Sequence, residues 1–200
     1  KSNTNVDTKG AAKTGNQPTL IVAIEQNFPQ EERIINDTLA PKLFSGTDLF
    51  WIQLTKISVF RNWIVGLTEK ILPGGWSCFL VRKCYIDERL LEAAENREVE
   101  AVVNLGAGFD TRLYRLEALS NIPCWEVDQP INIAAKERAL KRAFKTVPEN
   151  VTLTGMNFVE QEIGESLKQS GYQAGVRTFF IWEAVSQYLN EASVKKTFDF

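Results

Sequence analysis

The sequence predicts an α/β chain: a doubly wound parallel sheet preceded by an amino-terminal helical cap. Two observations carry that reading. Beyond Glu98 short apolar runs alternate with helical stretches, and before Arg97 apolar residues recur mostly at helical spacing. Strand and helix in regular alternation is the order that a parallel sheet with helices on both faces requires. The chain divides accordingly into a polar segment 1–18, a helical cap 19–98 and the front part of a sheet domain, 99–200.

Each element follows in order. Residues 1–18, KSNTNVDTKGAAKTGNQP, nearly lack large apolar groups. Such a segment cannot offset its ordering entropy by burial, so disorder is expected. Asp48 can cap one helix running through FWIQLTKISVFRNWIVGL, where Phe50, Leu54, Ile57, Ile64 and Leu67 recur at helical spacing. Phe60 and Trp63 widen that face, and packing between cap and sheet is its expected use; an acceptor pocket or a membrane-surface face is the alternative. Pro73-Gly74-Gly75 closes the unit, and a second helix carries Phe79, Arg82, Tyr85, Ile86 and Leu90. Strands are expected near 99–105, 122–127, 151–155 and 177–182, with right-handed crossovers placing the first near the centre.

Composition removes several function classes. A formal charge of -2 and a pI near 5.4 offer no broad footprint for a phosphate backbone, so no nucleic-acid partner is expected. Lys136, Arg138, Lys141, Arg142 and Lys145 form a basic run on one helix and read as its solvated outer face. Cys78, Cys84 and Cys124 are odd in number and lack CxxC spacing, which fits reduced thiols in a cytoplasmic protein and no metal site. The chain has no histidine, which excludes Ser-His-Asp and Cys-His catalysis within these residues. No apolar run reaches the roughly 18 residues of a membrane span. The first residue is Lys and no signal-peptide pattern follows it, so a start trimmed from a longer chain is the simplest expectation.

The sharpest motif is Val102-Val103-Asn104-Leu105-Gly106-Ala107-Gly108-Phe109-Asp110-Thr111. A buried strand runs into a glycine turn that opens a helix, where the backbone turns tightly and free N–H groups favour an electron-rich ligand. The dinucleotide fingerprint wants a third glycine or alanine, and that sixth position is Thr111. A GxG followed by the acidic Asp110 therefore suits a ligand without pyrophosphate better, although GxG alone also fits a plain turn. WEVDQP sets Glu126 and Asp128 at the end of the second strand, where a carboxylate can bind ribose hydroxyls. Alternation of faces is expected to leave one of them in the cleft, and Asp128 at the tip is the choice; a helix cap or a surface acid is the alternative.

Residues 101–128 resemble the first two strands of the leucine carboxyl methyltransferase family, a class of S-adenosylmethionine-dependent O-methyltransferases, in its bacterial and fungal branch. Its LGAGxDT/SR and FEVDxP patterns match here, and its FxxEGxxxYL is matched by Phe180 to Leu189. Val81 to Asp87 resembles its arginine-bearing helix, and Asn36 to Ala40 its "DPLA" segment, so the similarity covers about residues 19 to 200. The resemblance implies a Rossmann-like sheet of about seven strands, with this chain cut after the fourth. It also implies the cofactor S-adenosyl-L-methionine. Arg82 would pair with the cofactor's methionine carboxylate, Gly106 and Gly108 would lie against it, and Asp128 would bind its ribose. Asn157 and Phe158 stand where the family has Asp-Leu near the adenine, Asn157 accepting through its carbonyl oxygen and Phe158 able to stack. Glu183 would face the amino-acid end, with Ala184 replacing the family's glycine.

The implied reaction is O-methylation of a carboxylate or hydroxyl, on a small-molecule or protein carboxyl-terminal acceptor. A carboxylate needs no base; for a hydroxyl the candidates are Glu183 and Tyr188. An NAD(P)-dependent oxidoreductase and a non-catalytic methyltransferase-like binding protein are the alternatives. If nothing pairs with the VRTFFIW strand on its far side, residues 1–200 expressed alone should be poorly soluble, because an apolar edge promotes aggregation. A monodisperse, cooperatively melting monomer would contradict this topology.

Overall fold

The computed structural model describes residues 16–144 and 147–200. Most of segment 1–18 lies outside the described residues, but Gln17 and Pro18 open a helix, which moves that boundary forward. The cap consists of α1 (Gln17–Glu25), α2 (Gly46–Leu54), α3 (Ser58–Ile71) and α4 (Gly75–Glu95), with 3-10 turns at Gln30–Glu32 and Ala40–Leu43. Its core gathers Val22, Ala23 and Ile24 of α1, Ile35, Ala40, Phe44, Ile52 of α2, and Trp76 and Leu80 of α4. Glu25 is buried there with both oxygens used, accepting from Trp76 Nε1 at 3.0 Å and Ile34 N at 2.8 Å.

The single helix expected after Asp48 is two helices. Asp48 lies within the first turn of α2, and Ser45 holds the cap position. The chain breaks at residues 55–57 because side chains satisfy the carbonyls freed there. Asn27 Nδ2 and Thr55 Oγ1 both donate to Ile52 O at 2.7 Å, and Arg61 NH1 donates to Asn27 O at 3.0 Å and Thr55 O at 3.3 Å. Turning α3 to bring Arg61 inside carries the aromatic stripe outward. Phe50, Ile57, Phe60, Trp63 and Leu67 are exposed, so the stripe does not pack between cap and sheet.

The sheet contains β1 (Ala101–Leu105), β2 (Cys124–Asp128), β3 (Val151–Gly155) and β4 (Thr178–Trp182), all parallel in the order β3-β2-β1-β4. Between them run α5 (Arg112–Arg115), α6 (Pro130–Phe144) and α7 (Ile163–Gln169), and α8 (Glu191–Phe198) follows β4. Odd-numbered strand residues Val103, Leu105, Trp125 and Val127 pack with Ile163 and Leu167 of α7. Val102 and Cys124, with Ile181 of β4, face the other way and pack with Leu90 of α4, Leu113 and Leu119. Helices therefore cover both faces, and β1 sits inside the sheet as expected. The far edge of β4 has no strand partner among the described residues. On that strand Phe180 meets the rings of Tyr172 and Phe200 at 6.4 and 5.9 Å. No described helix is long and apolar enough to cross a membrane.

Two expectations about charge fail. Lys136 does not belong to a solvated face: it is fully buried, with Nζ 2.6 Å from Glu126 Oε2, which also accepts from Tyr114 OH at 2.6 Å. Burial pushes the Glu126 carboxyl up to about 6 against the pull of Lys136 and Tyr114. Arg138 and Lys141 are exposed, Arg142 reaches Leu43 O, and Lys145 lies outside the described residues. Glu126 and Asp128 are not separated by alternation, since residues two apart share a face; depth separates them, Glu126 one step inside the sheet and Asp128 at its rim. Lys136→Met should lower stability by about 3–5 kcal/mol in denaturant unfolding, the cost of stranding one partner of a buried ion pair. Adding Glu126→Gln should recover much of that loss; no recovery would mean that Lys136 acts through packing rather than charge.

Candidate functional site

Parallel strands deliver four loops to one end of the sheet, and there a cavity of about 240 Å³ opens. Its lining comes from β1 and its turn (Asn104, Gly106, Asp110), the tip of β2 (Asp128), the loop after β3 (Asn157, Phe158) and the segment after β4 (Glu183, Tyr188). Helix α4 adds Phe79, Arg82 and Lys83, while α1 closes one side through Thr19 and Ile21. Eight of the nine residues expected from sequence thus share one cavity. Gly108 is the ninth and stands behind the wall.

The glycine turn is built by backbone demands. Gly106 has φ +68° and Gly108 φ +47°, and a Cβ on Gly106 would run into the Val185 side chain. Gly108 N donates to Asp128 Oδ2 at 2.6 Å, so Asp128 itself clamps the turn. Its Oδ1 accepts from Gln129 N at 2.6 Å and Asn132 Nδ2 at 2.8 Å. The carboxylate offers about four acceptor positions, and these bonds leave room for a ligand hydroxyl on the cavity side.

Behind the cavity lies a network of buried charge. Glu183 accepts from Arg82 Nε at 2.8 Å and Arg112 NH2 at 3.0 Å, with Lys83 Nζ 3.7 Å away. Asp110 accepts from Lys83 Nζ at 2.8 Å and Arg112 N at 2.8 Å, and Arg112 NH2 lies 3.0 Å from it. Arg115 pairs with Asp87 and Asp37, and Thr111 Oγ1 donates to Asp37. Burial pushes Asp110 up, but Arg112 and Lys83 hold it well below the usual carboxylate range. Burial raises Asp87 despite Arg115 and Arg112. Arg112 is raised further above its usual value, because Asp110, Glu183 and Asp87 outweigh its desolvation. Asp110, expected as a ligand contact, therefore spends its oxygens mainly inside the network.

Sequence reasoning missed Lys83, Arg112, Asp37 and Asn104. Arg112 and Asp37 lay inside quoted motifs, yet a charged residue beside a motif gives no sign of whether it points inward. Two donors lining the cavity, Arg82 NH2 and Asn104 Nδ2, are buried without a partner among the described residues. Asn157 departs in part from expectation: its Oδ1 already accepts from Val159 N at 3.0 Å, and its own N donates to Gln161 Oε1 at 2.7 Å. The carbonyl oxygen expected to receive an adenine amino group thus holds one turn bond and keeps one lone pair for such a donor. Phe158 lines the cavity and also packs on the core under β1 and β2. Ala184 sits at φ +56°, in left-handed backbone that a glycine would occupy freely.

Fold and site together define a Rossmann-like α/β domain with a cavity at the carboxyl ends of its strands. The chain belongs to the leucine carboxyl methyltransferase family, whose model matches residues 16–200. A Mycobacterium marinum relative is 31% identical over 191 residues, covering 94% of this chain and 62% of the relative. One from Mycobacterium avium is 24% identical over 195 residues, with 92% and 59% covered. A third, from Mycobacterium ulcerans, is 32% identical over 120 residues, 60% of this chain and 39% of the relative. All three carry a provisional name as S-adenosyl-L-methionine-dependent methyltransferases. The chain spans less than two thirds of the length of each.

Ala184→Gly should raise stability by about 1 kcal/mol, the strain of one left-handed L-residue. Thermal unfolding reads this directly, and a variant no more stable than the parent would mean that no strain is held there.

Proposed function

We propose that the chain binds S-adenosyl-L-methionine in this cavity and forms part of an O-methyltransferase. One observation carries the reading beyond the relatives' names. The network behind the cavity balances Arg82, Lys83, Arg112 and Arg115 against Asp37, Asp87, Asp110 and Glu183, so the Asp128 carboxylate leaves the cavity one negative charge. A ligand that combines a sulfonium, an ammonium and a carboxylate carries one net positive charge and complements it. A nicotinamide dinucleotide, with its pyrophosphate, does not.

Within that reading Arg82 holds the ligand's carboxylate through its unpartnered NH2 while Nε stays on Glu183. Gly106 lets the ligand lie on the backbone, Gly108 fixes Asp128, and Asp128 takes the ribose hydroxyls. Phe158 lies beside the base, and Asn157 shapes the loop around it. When bound, the cofactor supplies an electrophilic methyl group on sulfur. The protein's part is to align an acceptor in line with it and exclude water, which lowers the barrier by several kcal/mol. Glu183 is a poor base, because Arg82 and Arg112 occupy both its oxygens. Tyr188 remains for a hydroxyl acceptor, whereas a carboxylate acceptor, on a small molecule or a protein carboxyl terminus, needs no base. A chain without histidine, with unpaired cysteines, fits a cytoplasmic setting for this chemistry.

Calorimetric titration tests the proposal. S-adenosyl-L-methionine should bind saturably, NAD should not, and Asp128→Ala should weaken binding at least tenfold with the fold retained by circular dichroism. Binding of NAD instead, or a folded chain that binds neither, would overturn it. A methylated nitrogen or carbon in the product would overturn the O-methylation.

A further inference from the structure

Helix α3 turns only Ile64 and Val65, half-buried, onto the cap core. Its one buried side chain is Arg61, which caps the preceding break and lies over the Phe28 ring at 4.6 Å. Thr68 bonds back to Ile64 O, and Glu69 faces the start of α4, accepting from Gly74 N at 2.7 Å and Trp76 N at 3.1 Å. Outward point Val59 (73% exposed), Phe60, Trp63 (60%), Leu67 and Ile71 (76%). At 100° per residue these five share a stripe about 120° wide, the apolar width that a surface helix normally turns to its own core. Gly66 adjoins the stripe one turn from Trp63, and a Cβ there would meet nothing. A glycine inside a helix costs about 1 kcal/mol relative to alanine, and no contact among the described residues requires it.

We propose that this face is a two-fold interface with a second copy of the chain, antiparallel α3 against α3, with Trp63 of each copy seated over the partner's Gly66. Three observations favour that occupant. With Ile57 and Leu72 at its ends, the stripe offers seven apolar side chains, each 42–76% exposed and so roughly 100 Å² apiece, where a whole aromatic side chain buries about 150–250 Å². The total, on the order of 700 Å², approaches the ~800 Å² each partner contributes to a stable interface. The knob at Trp63 and the hole at Gly66 lie on the same helix, so the surface is self-complementary under a two-fold axis, as an isologous dimer requires. Charge disfavours a lipid surface: α2 has no cation, α3 exposes only Lys70, with Lys56 in the break between them, the chain is acidic overall, and interfacial helices are rich in Lys and Arg. The glutamate clamp and the Arg61 cap fix the helix beforehand, so little ordering accompanies association.

Sedimentation velocity across about 1–100 μM tests the interface on the chain itself. A dimer is expected, weakened roughly thirtyfold or more by Trp63→Glu, which removes a central aromatic anchor, and by Gly66→Leu, which fills the hole. Ile131→Glu adds the same charge at an exposed apolar site on α6 and should leave the dimer intact. Unfolding midpoints of diluted samples separate lost association from lost fold. A wild-type monomer at 100 μM overturns the proposal, as does any assembly that Trp63→Glu leaves unchanged. A monomer that co-sediments with phosphatidylserine vesicles overturns it in favour of a membrane.

Discussion

The guanidinium of Arg112 is sealed from solvent between carboxylates contributed by three separate parts of the chain: Asp87 from α4, Asp110 from the turn after β1, and Glu183 from the end of β4. An unpaired charge at that depth is expensive, so the three elements must arrive together or not at all. Arg82 and Lys83 of α4 add to the same carboxylates, and Arg115 extends the network to Asp37, in the cap between α1 and α2. Four cations meet four carboxylates, and the cap cannot lift from the sheet without stranding several of them. Apolar packing gives the two units their cores; the ion network fixes how they face each other and thereby the cavity between them.

Topology explains why the cavity lies where it does. From β1 the chain steps outward through β2 to β3, then returns to the other flank of β1 as β4. The reversal lies between β1 and β4, the crevice in which open α/β sheets hold ligands. Gly106 and Glu183 sit on its two sides, and Asp128 borders it from the next strand. Asp128 also accepts from Gly108 N, so the carboxylate that lines the cavity, and that is proposed to take the ribose hydroxyls, is the one that shapes the turn beneath it. Position and recognition thus rest on one side chain.

The strands were legible within about two residues because parallel strands buried on both faces read as unbroken apolar runs ending in turn signals. The glycines were legible because only glycine adopts those backbone angles freely. What escaped was everything decided by distant partners. Periodicity marks the faces of α3 but not which one the protein covers, and Asn27, 25 residues upstream of Ile52, determines where the helix breaks. Lys136 sits in a basic run that looks solvated, and only the position of Glu126 on β2 reveals that it is buried. Asn157 was placed correctly at the cavity, yet its oxygen also accepts from a neighbouring N–H that sequence does not announce.

Arg82 shows how network and ligand site coexist. A guanidinium presents its N–H groups in a fixed plane, so Nε can hold Glu183 while NH2 addresses the cavity. A lysine there would have to choose. The proposed ligand carboxylate would add a partner to Arg82 without removing one from Glu183, and the buried charges would stay compensated. The same constraint accounts for the backbone at Ala184: keeping Glu183 turned toward Arg82 and Arg112, while Val185 closes over Gly106, sets residue 184 in left-handed backbone. An alanine tolerates that conformation at a cost of about 1–2 kcal/mol, and the ion pairs on the preceding residue are what hold it there.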